Sequence, residues 1–337
     1  MSTKIGVNGF GRTGRLATKA INQYYSGKLE VVAVNTNAPS KMLAHLYKYD
    51  SCYGVYPGEV RADEDSIIID GRVVKISAKR EPGEINWEEH GVEMVIESTG
   101  HFTDAGKAAA HLQDGVKKVI ISAPARGEDV TVVLGVNEEQ YDRARHRIIS
   151  NASCTTNCFA PVVKVLHQSF GINKGLLTTI HAYTGDQRLV DGSHRDLRRA
   201  RAAAISMVPT TTGAARAVTQ VIPELKGKLH GVAIRVPVLT VSACDFVAEL
   251  AREVTVDEVN RAFQTAAEGE LKRIIEYCDE PLVSIDFKGN SASAIFDALS
   301  TMVIEGNMVK VLAWYDNEWG YSCRLADLAA YIVDKGL

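Results

Sequence analysis

The sequence predicts an α/β protein with two domains, in which a parallel sheet covered by helices is followed by an α+β domain with a mixed or antiparallel sheet. Apolar, strand-like runs alternate with helical segments up to about residue 150, which is typical of successive βα units. Longer strand candidates with fewer helices between them follow this point. A chain of 337 residues is also long enough for two domains of roughly 150 residues each.

The βα units of the first half begin with a short strand, Ile5 to Val7, and a helix over about residues 12–25. The next strand is Val31 to Val34, and a run that is apolar throughout suits a parallel strand buried on both faces. Two further strands with an Ala-rich helix between them complete this half: Met94 to Ile96, about residues 104–113, and Val119 to Ile121.

The second half is predicted to contain four longer strands: Leu176 to His181, Gly231 to Val236, Val241 to Glu249, and Met308 to Tyr315. A final helix with apolar spacing, Leu325 to Val333, is expected to pack against the first domain. We therefore place one domain at residues 1–152, completed by a C-terminal helix over 318–337, and the other at residues 153–317.

Composition excludes several classes of protein. The chain has 38 basic and 41 acidic residues and a formal net charge of -3, so it resembles neither a basic nucleic-acid binder nor an acidic tail. No apolar run reaches the roughly 20 residues that span a bilayer, and the N-terminus lacks the pattern of a secretory signal. We expect a cytoplasmic protein that binds no membrane and whose six cysteines are free thiols.

Gly9, Gly11 and Gly14 form a GxGxxG loop between the first strand and the first helix. In this context the glycine backbone can approach a pyrophosphate, which the helix N-terminus binds. The alternative is a merely glycine-rich turn, but strand, turn, helix and second strand occur at the expected spacing. The loop therefore predicts that the first domain is a Rossmann domain that binds a dinucleotide.

The second strand ends in Asn35, Thr36 and Asn37, where an NAD site usually has Asp or Glu for the ribose hydroxyls. A carboxylate there would repel a 2′-phosphate, whereas hydroxyl and amide groups can donate hydrogen bonds to it. This pattern favours NADP, or the use of both NADP and NAD. The alternative is that these residues bind the ribose of NAD more weakly.

The segment Ser153 to Cys158 places Cys154 where a helix is predicted to begin. A helix N-terminus lowers the pKa of a thiol and so favours the nucleophilic thiolate. His181, at the end of an apolar strand, is a candidate for the base that covalent catalysis by a thiol requires. On its own, Cys154 would more simply be a buried inert cysteine, and we expect Cys158 to pack in the core. Two spaced cysteines and distant histidines predict no zinc site.

Three polar segments are candidates for binding an anion. Thr210 to Gly213 offers hydroxyl groups on a flexible backbone, and Arg235 lies inside an apolar strand, where it needs an anionic partner. The arginine-rich run over residues 195–201 is an anion clamp, a solvated face or an RNA-binding patch. The acidic net charge makes RNA the least favoured of these three.

A series of motifs extends along the whole chain: GFGRTGR from Gly9, KYDS from Lys48, the segment Ser98 to Gly100, SCTTNC from Ser153, HAYT from His181, TTTGAA from Thr210 and WYDNEWGY from Trp314. In this order they give the sequence a close, end-to-end resemblance to the glyceraldehyde-3-phosphate dehydrogenase family. The combination of SCTTNC with HAYT is highly specific for that family.

The resemblance implies that Cys154 attacks the aldehyde carbon of glyceraldehyde 3-phosphate while His181 accepts the thiol proton and then helps to stabilise the hemithioacetal oxyanion. Hydride transfer to the nicotinamide would leave a thioester, which inorganic phosphate would cleave to give 1,3-bisphosphoglycerate. Two anion sites are implied, with Ser153, Thr155, Thr212 and Gly213 at the attacking phosphate and Thr184, Arg198 and Arg235 at the substrate phosphate.

For the cofactor, the resemblance implies that Asn317 bonds the nicotinamide carboxamide and that Tyr321 packs on the ring. The other predicted cofactor-binding residues belong to the phosphate loop, to the segments that follow the first strands and to the arginine-rich loop. They are Gly9, Phe10, Gly11, Arg12, Thr13, Gly14, Asn35, Thr36, Asn37, Arg80, Ser98, Thr99, Gly100, Phe102, Ser122 and Ser193.

Two residues depart from the NAD-specific members of the family. Thr36 stands where those members usually have Asp, and Ser193 stands where they commonly have Pro. Members that use NADP, including the photosynthetic ones, carry Ser in that loop, which in a tetramer reaches the neighbouring subunit's cofactor. Both changes therefore favour the 2′-phosphate. Thr13 replaces the usual Ile, and nothing in the sequence explains this change.

The resemblance further implies a homotetramer and a place in glycolysis, gluconeogenesis or the Calvin cycle. An erythrose-4-phosphate dehydrogenase is an alternative, although such enzymes typically depart from TTTGAA and HAYT. A non-phosphorylating aldehyde dehydrogenase would need no site for inorganic phosphate, and a thiol hydrolase would have no use for the dinucleotide loop. A protein that mainly binds nucleic acid or a partner is disfavoured by the intact Cys154 and His181.

Overall fold

The computed structural model describes residues 2–113 and 115–337, and these residues form two compact units. The first unit comprises the chain up to Val132, Glu139–Ala152 and Ser322–Leu337. The second comprises Val133–Glu138 and Ser153–Tyr321.

The helices are α1 (Arg12–Tyr24), α2 (Ser40–Lys48), α3 (Ala105–Ala108), α4 (Cys154–Phe170), α5 (Ala214–Val221), α6 (Val256–Glu268) and α7 (Trp319–Lys335). The strands of the first unit are β1 (Thr3–Asn8), β2 (Leu29–Asn35), β3 (Tyr49–Asp50), β4 (Gly54–Val55), β5 (Val60–Ala62), β6 (Ser66–Ile69), β7 (Arg72–Ser77), β8 (Met94–Glu97), β9 (Lys118–Ile121), β10 (Val130–Thr131) and β11 (Ile148–Ser150). Those of the second unit are β12 (Ile172–Ala182), β13 (Val208–Thr211), β14 (Leu229–Val236), β15 (Ser242–Leu250), β16 (Ile275–Cys278), β17 (Ala294–Ile304) and β18 (Met308–Tyr315). None of the helices within the described residues is both long and apolar enough to cross a membrane.

The first unit is built on a nine-stranded sheet in the order β10-β11-β9-β8-β1-β2-β7-β6-β5. The strands from β10 to β7 are parallel, and β5 to β7 form an antiparallel edge. Strand β1 lies between β2 and β8, so the direction of winding reverses there, and ligands of such sheets bind at the carboxyl ends beside that point. The predicted Rossmann domain is confirmed.

The central strands of the first unit are buried on both faces of the sheet, which explains their continuous apolar sequences. Every residue of β8 and β9 is buried, and Val95 and Val119 belong to one core cluster with Trp87. The predicted Ala-rich helix is much shorter than expected, because α3 ends at Ala108 and a 3₁₀ turn follows. His111, in that turn, is fully buried and bonded to Trp87, so a tertiary contact replaces the last helical turn.

The second unit is built on a seven-stranded mixed sheet in the order β13-β14-β12-β15-β18-β17-β16, as the predicted α+β domain requires. β14 is parallel to β12 and β16 is parallel to β17, while the other pairs are antiparallel. One face is covered by helices, with Phe159 of α4 packing edge-on against Phe246 of β15. On the opposite face Leu176 stays 65% exposed, and the pattern in β12 alternates accordingly.

Candidate active site

Cys154 is the first residue of α4. The Oγ of Ser153 caps this helix by accepting a hydrogen bond from the backbone N–H of Thr156 at 3.1 Å. The preceding residue, Ala152, has a φ of 52°, in the left-handed region that residues with a Cβ seldom occupy. The predicted helix start at the thiol is confirmed.

The structure brings Cys154 and His181 together, with Sγ 3.4 Å from Nε2. His181 Nδ1 lies 2.7 Å from the carbonyl oxygen of Ala182, which can only accept a hydrogen bond. Nη1 of Arg235 lies farther from Nδ1, at 3.1 Å, so we assign the ring proton to Nδ1, which leaves Nε2 as the acceptor for the thiol proton of Cys154. This is the geometry of a nucleophile beside its general base.

Burial controls the charge of this pair. It raises the pKa of the Cys154 thiol, and the nearby Arg235 guanidinium and the hydrogen bonds to Thr155 offset this only in part. Burial, followed by the charge of Arg235, lowers the pKa of His181 to about 3. Burial thus acts against the helix N-terminus, whose positive end favours the thiolate. Burial therefore favours the neutral forms of both the thiol and the imidazole.

Arg235 lies opposite His181 in the register between β14 and β12. Its Nη1 donates to the carbonyl of Ala182 at 3.3 Å and to Oγ1 of Thr184 at 3.4 Å. Its Nε is buried and has no hydrogen-bond partner within the described residues. Within those residues no carboxylate forms an ion pair with Arg235, so the guanidinium is available to an anionic ligand.

Tyr315 contacts Thr155, next to Cys154, and packs against His181, and it was not among the predicted site residues. Its buried hydroxyl is hydrogen-bonded to Oγ1 of Thr155 at 2.8 Å and to Oγ1 of Thr179 at 3.0 Å. Its ring packs edge-on to the imidazole of His181, with 6.0 Å between centroids. Tyr315 belongs to the WYDNEWGY motif, but the motif does not indicate a contact with His181, so only the fold reveals this role.

The other predicted anion-binding residues are less closely grouped. Gly213 immediately precedes α5, and Thr212 Oγ1 accepts the backbone N–H of Ala214 at 3.2 Å. These residues follow the end of β13 that lies opposite Val232, so strand pairing alone does not place them beside Arg235. Arg198 is exposed, and its Nη1 donates to the carbonyl of Pro209 at 3.4 Å.

In the first unit the glycine loop has the shape that a pyrophosphate requires. Gly9 has a φ of 89°, and a Cβ on Gly14 would lie 2.2 Å from the carbonyl oxygen of Gly9. Gly11, which precedes α1, has open space where its Cβ would be. The first turn of α1 contains no acidic residue, so the positive end of the helix dipole is not offset there. The loop fits a dinucleotide.

A buried polar network holds this loop in place. Ser98 Oγ donates to the carbonyl of Gly9 at 2.6 Å, and Thr99 donates from its backbone N–H to Glu97 Oε1 at 2.8 Å. Oε2 of Glu97 accepts from Nδ2 of Asn8 and from the ring of His111. Asn8, Glu97 and His111 were not predicted as site residues, because Asn8 and Glu97 are single polar residues at the ends of apolar strands and His111 lies in an Ala-rich helical segment.

The end of β2 is organised by Asn35. Its Oδ1 accepts from Ser77 Oγ at 2.9 Å and from the backbone N–H of Lys79 at 2.8 Å. Its Nδ2 donates to Asn8 Oδ1 and to the carbonyl of Lys79. The side chain of Asn35 thus fixes the loop after β7, where Arg80 is exposed, and Thr36 and Asn37 are the residues of this segment that remain accessible.

Asn317 lies two residues before α7 and Tyr321 lies in its first turn, and both residues are buried. Oδ1 of Asn317 accepts a hydrogen bond from Ser242 Oγ at 2.9 Å. The remaining predicted cofactor residues occupy loops: Thr99, Gly100 and Phe102 follow β8, Ser122 follows β9, and Ser193 lies in the exposed arginine-rich loop. Phe10 packs on Tyr47 in the core, so only its backbone remains for a ligand. Nothing in the structure explains Thr13.

The six cysteines are free thiols. Within residues 2–113 and 115–337, no group of three His, Cys, Asp or Glu side chains is arranged to hold a metal ion.

Comparison with known proteins gives matches over both halves of the chain. Residues 3–105 match the family model described as "Glyceraldehyde 3-phosphate dehydrogenase, NAD binding domain", and residues 153–317 match the corresponding C-terminal domain. The chain is 59% identical to glyceraldehyde-3-phosphate dehydrogenase 1 of Bacillus cereus, over 99% of this chain and 100% of that protein. It is 57% identical to the glyceraldehyde-3-phosphate dehydrogenase of Geobacillus stearothermophilus over the full length of both. It is 52% identical to the chloroplastic enzyme B of Pisum sativum, over 98% of this chain and 74% of that protein.

Proposed function

The chain belongs to the glyceraldehyde-3-phosphate dehydrogenase family, and from this membership we propose that it catalyses the reversible phosphorylating oxidation of D-glyceraldehyde 3-phosphate to 1,3-bisphosphoglycerate. It is an oxidoreductase that uses NAD(P). The observation that carries the proposal is the Cys154 thiol, 3.4 Å from an imidazole nitrogen that is free to accept its proton.

The contact between Cys154 Sγ and Nε2 of His181 defines the first step. As Cys154 Sγ bonds to the aldehyde carbon, its proton passes to Nε2 of His181, and the carbonyl oxygen becomes the oxyanion of a hemithioacetal. The imidazolium formed can then donate a hydrogen bond to that oxyanion. Bound NAD(P) supplies a hydride acceptor. Loss of the hydride gives a thioester on Cys154, and an oxygen of inorganic phosphate displaces the thiolate, which recovers its proton.

The reaction needs sites for two phosphate groups, and we place Arg235 near both. The guanidinium has no carboxylate partner within the described residues and lies beside Thr184, so we assign the substrate phosphate to Arg235, Thr184 and Arg198. The attacking phosphate is assigned to Ser153, Thr155, Thr212 and Gly213. The hydroxyls of Ser153 and Thr155 lie next to the nucleophile at the start of α4, which supports this assignment.

The cofactor is assigned to the glycine loop, to the segments that follow the first strands, and to Asn317 and Tyr321. We propose that the enzyme accepts NADP as well as NAD. No carboxylate follows β2 at Thr36 or Asn37, and Arg80 is exposed on the loop that Asn35 holds next to them. A cation and neutral donors at this position favour a 2′-phosphate.

We assign cofactor binding to a domain of residues 1–152 with 318–337, and catalysis to residues 153–317. The two compact units support this division.

We also propose a homotetramer. The face of the second unit's sheet away from its helices exposes a band of large apolar residues: Leu176, Ile180, Val232, Val247, Met302 and Met308. A monomeric protein rarely leaves such a contiguous patch in water, so its burial against another subunit supports the assembly.

Steady-state kinetics tests the proposal directly. The specificity constant kcat/KM for glyceraldehyde 3-phosphate is measured with NADP and with NAD, each with and without inorganic phosphate. The proposal requires turnover that depends on phosphate and is abolished in Cys154→Ser. Turnover without phosphate would indicate a non-phosphorylating dehydrogenase, and a higher specificity constant for erythrose 4-phosphate would assign the alternative substrate.

A further inference from the structure

Thr240, Val241 and Ser242 are consecutive residues before and at the start of β15. The side chains of Thr240 and Ser242 bind the segment that contains Asn317. Thr240 Oγ1 donates to Oδ1 of Asp316 at 3.1 Å, and Ser242 Oγ donates to Oδ1 of Asn317 at 2.9 Å. Val241, between them, has a φ of 69°, which is a strained conformation for a β-branched residue. Two polar side chains on either side of a strained residue thus bind two adjacent residues of another segment.

The strain at Val241 is maintained by its surroundings. The side chain is 2% exposed and packs in a core cluster with Phe287 and Ile295. Because the valine is anchored in the core, the backbone turns sharply and both flanking side chains reach the 316–317 segment.

Ser242 also contacts the strand of the general base. The backbone N–H of Ala182, next to His181, donates to Ser242 Oγ at 3.1 Å. This bond occupies an acceptor position of the hydroxyl, so the hydroxyl proton is directed to Oδ1 of Asn317. Oδ1 of Asn317 is thereby satisfied, and Nδ2 is the group left to bind a ligand. Within the described residues no protein atom accepts a hydrogen bond from Nδ2.

We propose that Ser242 is a positioning residue that fixes the Asn317 amide with its NH₂ group presented to the cofactor carboxamide and links this amide to the strand of His181. The proposal rests on the assignment of Asn317 to the cofactor. Ser242 itself touches no reacting atom. Without its hydroxyl, the amide of Asn317 can rotate by 180° and present its oxygen instead of its NH₂, so the cofactor loses a donor that is fixed in advance.

The test is a double-mutant cycle on the complete enzyme, with NAD and NADP titrated separately by isothermal calorimetry. Ser242→Ala should weaken binding by about 2- to 12-fold, the range for one hydrogen bond, and Ser242→Thr should restore it. In the Asn317→Ala background, Ser242→Ala should cause no further loss, because its effect passes through the missing amide. The KM for glyceraldehyde 3-phosphate should change by less than about two-fold.

Ser66→Ala is the matched control, because Ser66 is equally buried but lies in β6, which carries no predicted site residue. If the alanine variant does not fold, Ser242→Cys repeats the measurement with a weaker donor of similar size. The inference would be overturned, and the proposed function left standing, by either of two results. One is that Ser242→Ala weakens cofactor binding equally in the wild-type and Asn317→Ala proteins, and the other is that it leaves the affinity of the wild-type protein unchanged. A wild-type enzyme that binds neither NAD nor NADP would overturn the proposed function and this inference with it.

Discussion

Trp87 Nε1 lies 3.1 Å from Nδ1 of His111, and because an indole nitrogen can only donate, the histidine accepts a hydrogen bond at that atom. His111 therefore carries its ring proton on Nε2, which lies 3.0 Å from Oε2 of Glu97. The carboxylate of Glu97 is 1% exposed, and donors from His111, Asn8 and Thr99 surround it. The hydrogen bond from Trp87 thus fixes the tautomer of His111 that donates to the buried carboxylate of Glu97, which in turn supports the glycine loop.

Glu97→Gln places an NH₂ group among donors and leaves a buried hydrogen bond unmade. We expect the free energy of unfolding to fall by about 1–3 kcal/mol, measured by urea denaturation. Glu93→Gln is the control, because Glu93 forms a surface ion pair with Lys117 whose loss should cost less than about 1 kcal/mol. Equal stability losses in the two variants would show that the buried network does not stabilise the domain.

Arg235→Leu should move the reactivity of Cys154 to higher pH. The guanidinium favours the thiolate and so lowers the pKa of Cys154, partly offsetting the effect of burial. Its removal therefore raises the thiol pKa further and reduces the thiolate fraction at any given pH. The rate of alkylation by iodoacetamide, measured against pH, should rise with pH in both proteins, with the Arg235→Leu profile displaced to the alkaline side. Coincident profiles would contradict the effect of the Arg235 charge on the thiol pKa. The Cys154→Ser variant is the control that shows which thiol is alkylated.

Thr36→Asp should shift cofactor preference towards NAD. A carboxylate at the end of β2 repels a 2′-phosphate and accepts hydrogen bonds from ribose hydroxyls. We expect the ratio of kcat/KM for NADP to that for NAD to fall by about 10- to 100-fold, as for the loss of one or two charge-assisted hydrogen bonds. Thr36→Val, which removes the hydroxyl without adding charge, should cause a smaller shift. An unchanged ratio in Thr36→Asp would mean that the 2′-phosphate does not bind beside this residue.

Leu176→Lys should disrupt the assembly. Leu176 is 65% exposed at the centre of the apolar sheet face, and a buried, unpaired lysine is costly at an interface. Sedimentation velocity at micromolar concentration should show a tetramer for the wild type and smaller species for the variant. Val283→Lys, at a position 59% exposed outside the sheet, should remain tetrameric. A tetrameric Leu176→Lys would place the subunit contacts elsewhere.

The elements with a strong local pattern were predictable from the sequence. The apolar runs predicted β2, β8 and β9, the glycine spacing predicted the loop before α1, and SCTTNC predicted the start of α4. The short α3 was missed because the burial of His111 is a tertiary effect. The raised thiol pKa was missed because desolvation depends on what surrounds Cys154 in space, whereas the helix N-terminus can be read locally.

Residues that orient the site side chains could not be predicted from the sequence either. Ser242, Tyr315 and Glu97 each lie at one end of a strand and have no local pattern that indicates their partners. Ser242 and Asn317, for example, are 75 positions apart in the sequence. Only strand pairing and packing show which polar groups meet. Motifs therefore predicted the candidate reacting side chains, whereas the residues that contact and orient them were found only in the fold.

The first unit is formed by segments from both ends of the described chain, and this affects the order in which the units can fold during translation. Ser322–Leu337 belongs to the same unit as the N-terminal strands, and in α7 the side chain of Asp327 accepts a hydrogen bond from the Tyr25 hydroxyl at 2.5 Å. Leu325 and Leu328 are fully buried there. Residues 322–337 are synthesised after the strands of the first unit and after the second unit, so those strands are made well before the helix that completes their packing. During synthesis the second unit should therefore be complete before the first. Removal of Ser322–Leu337 should make the first unit more accessible to proteases.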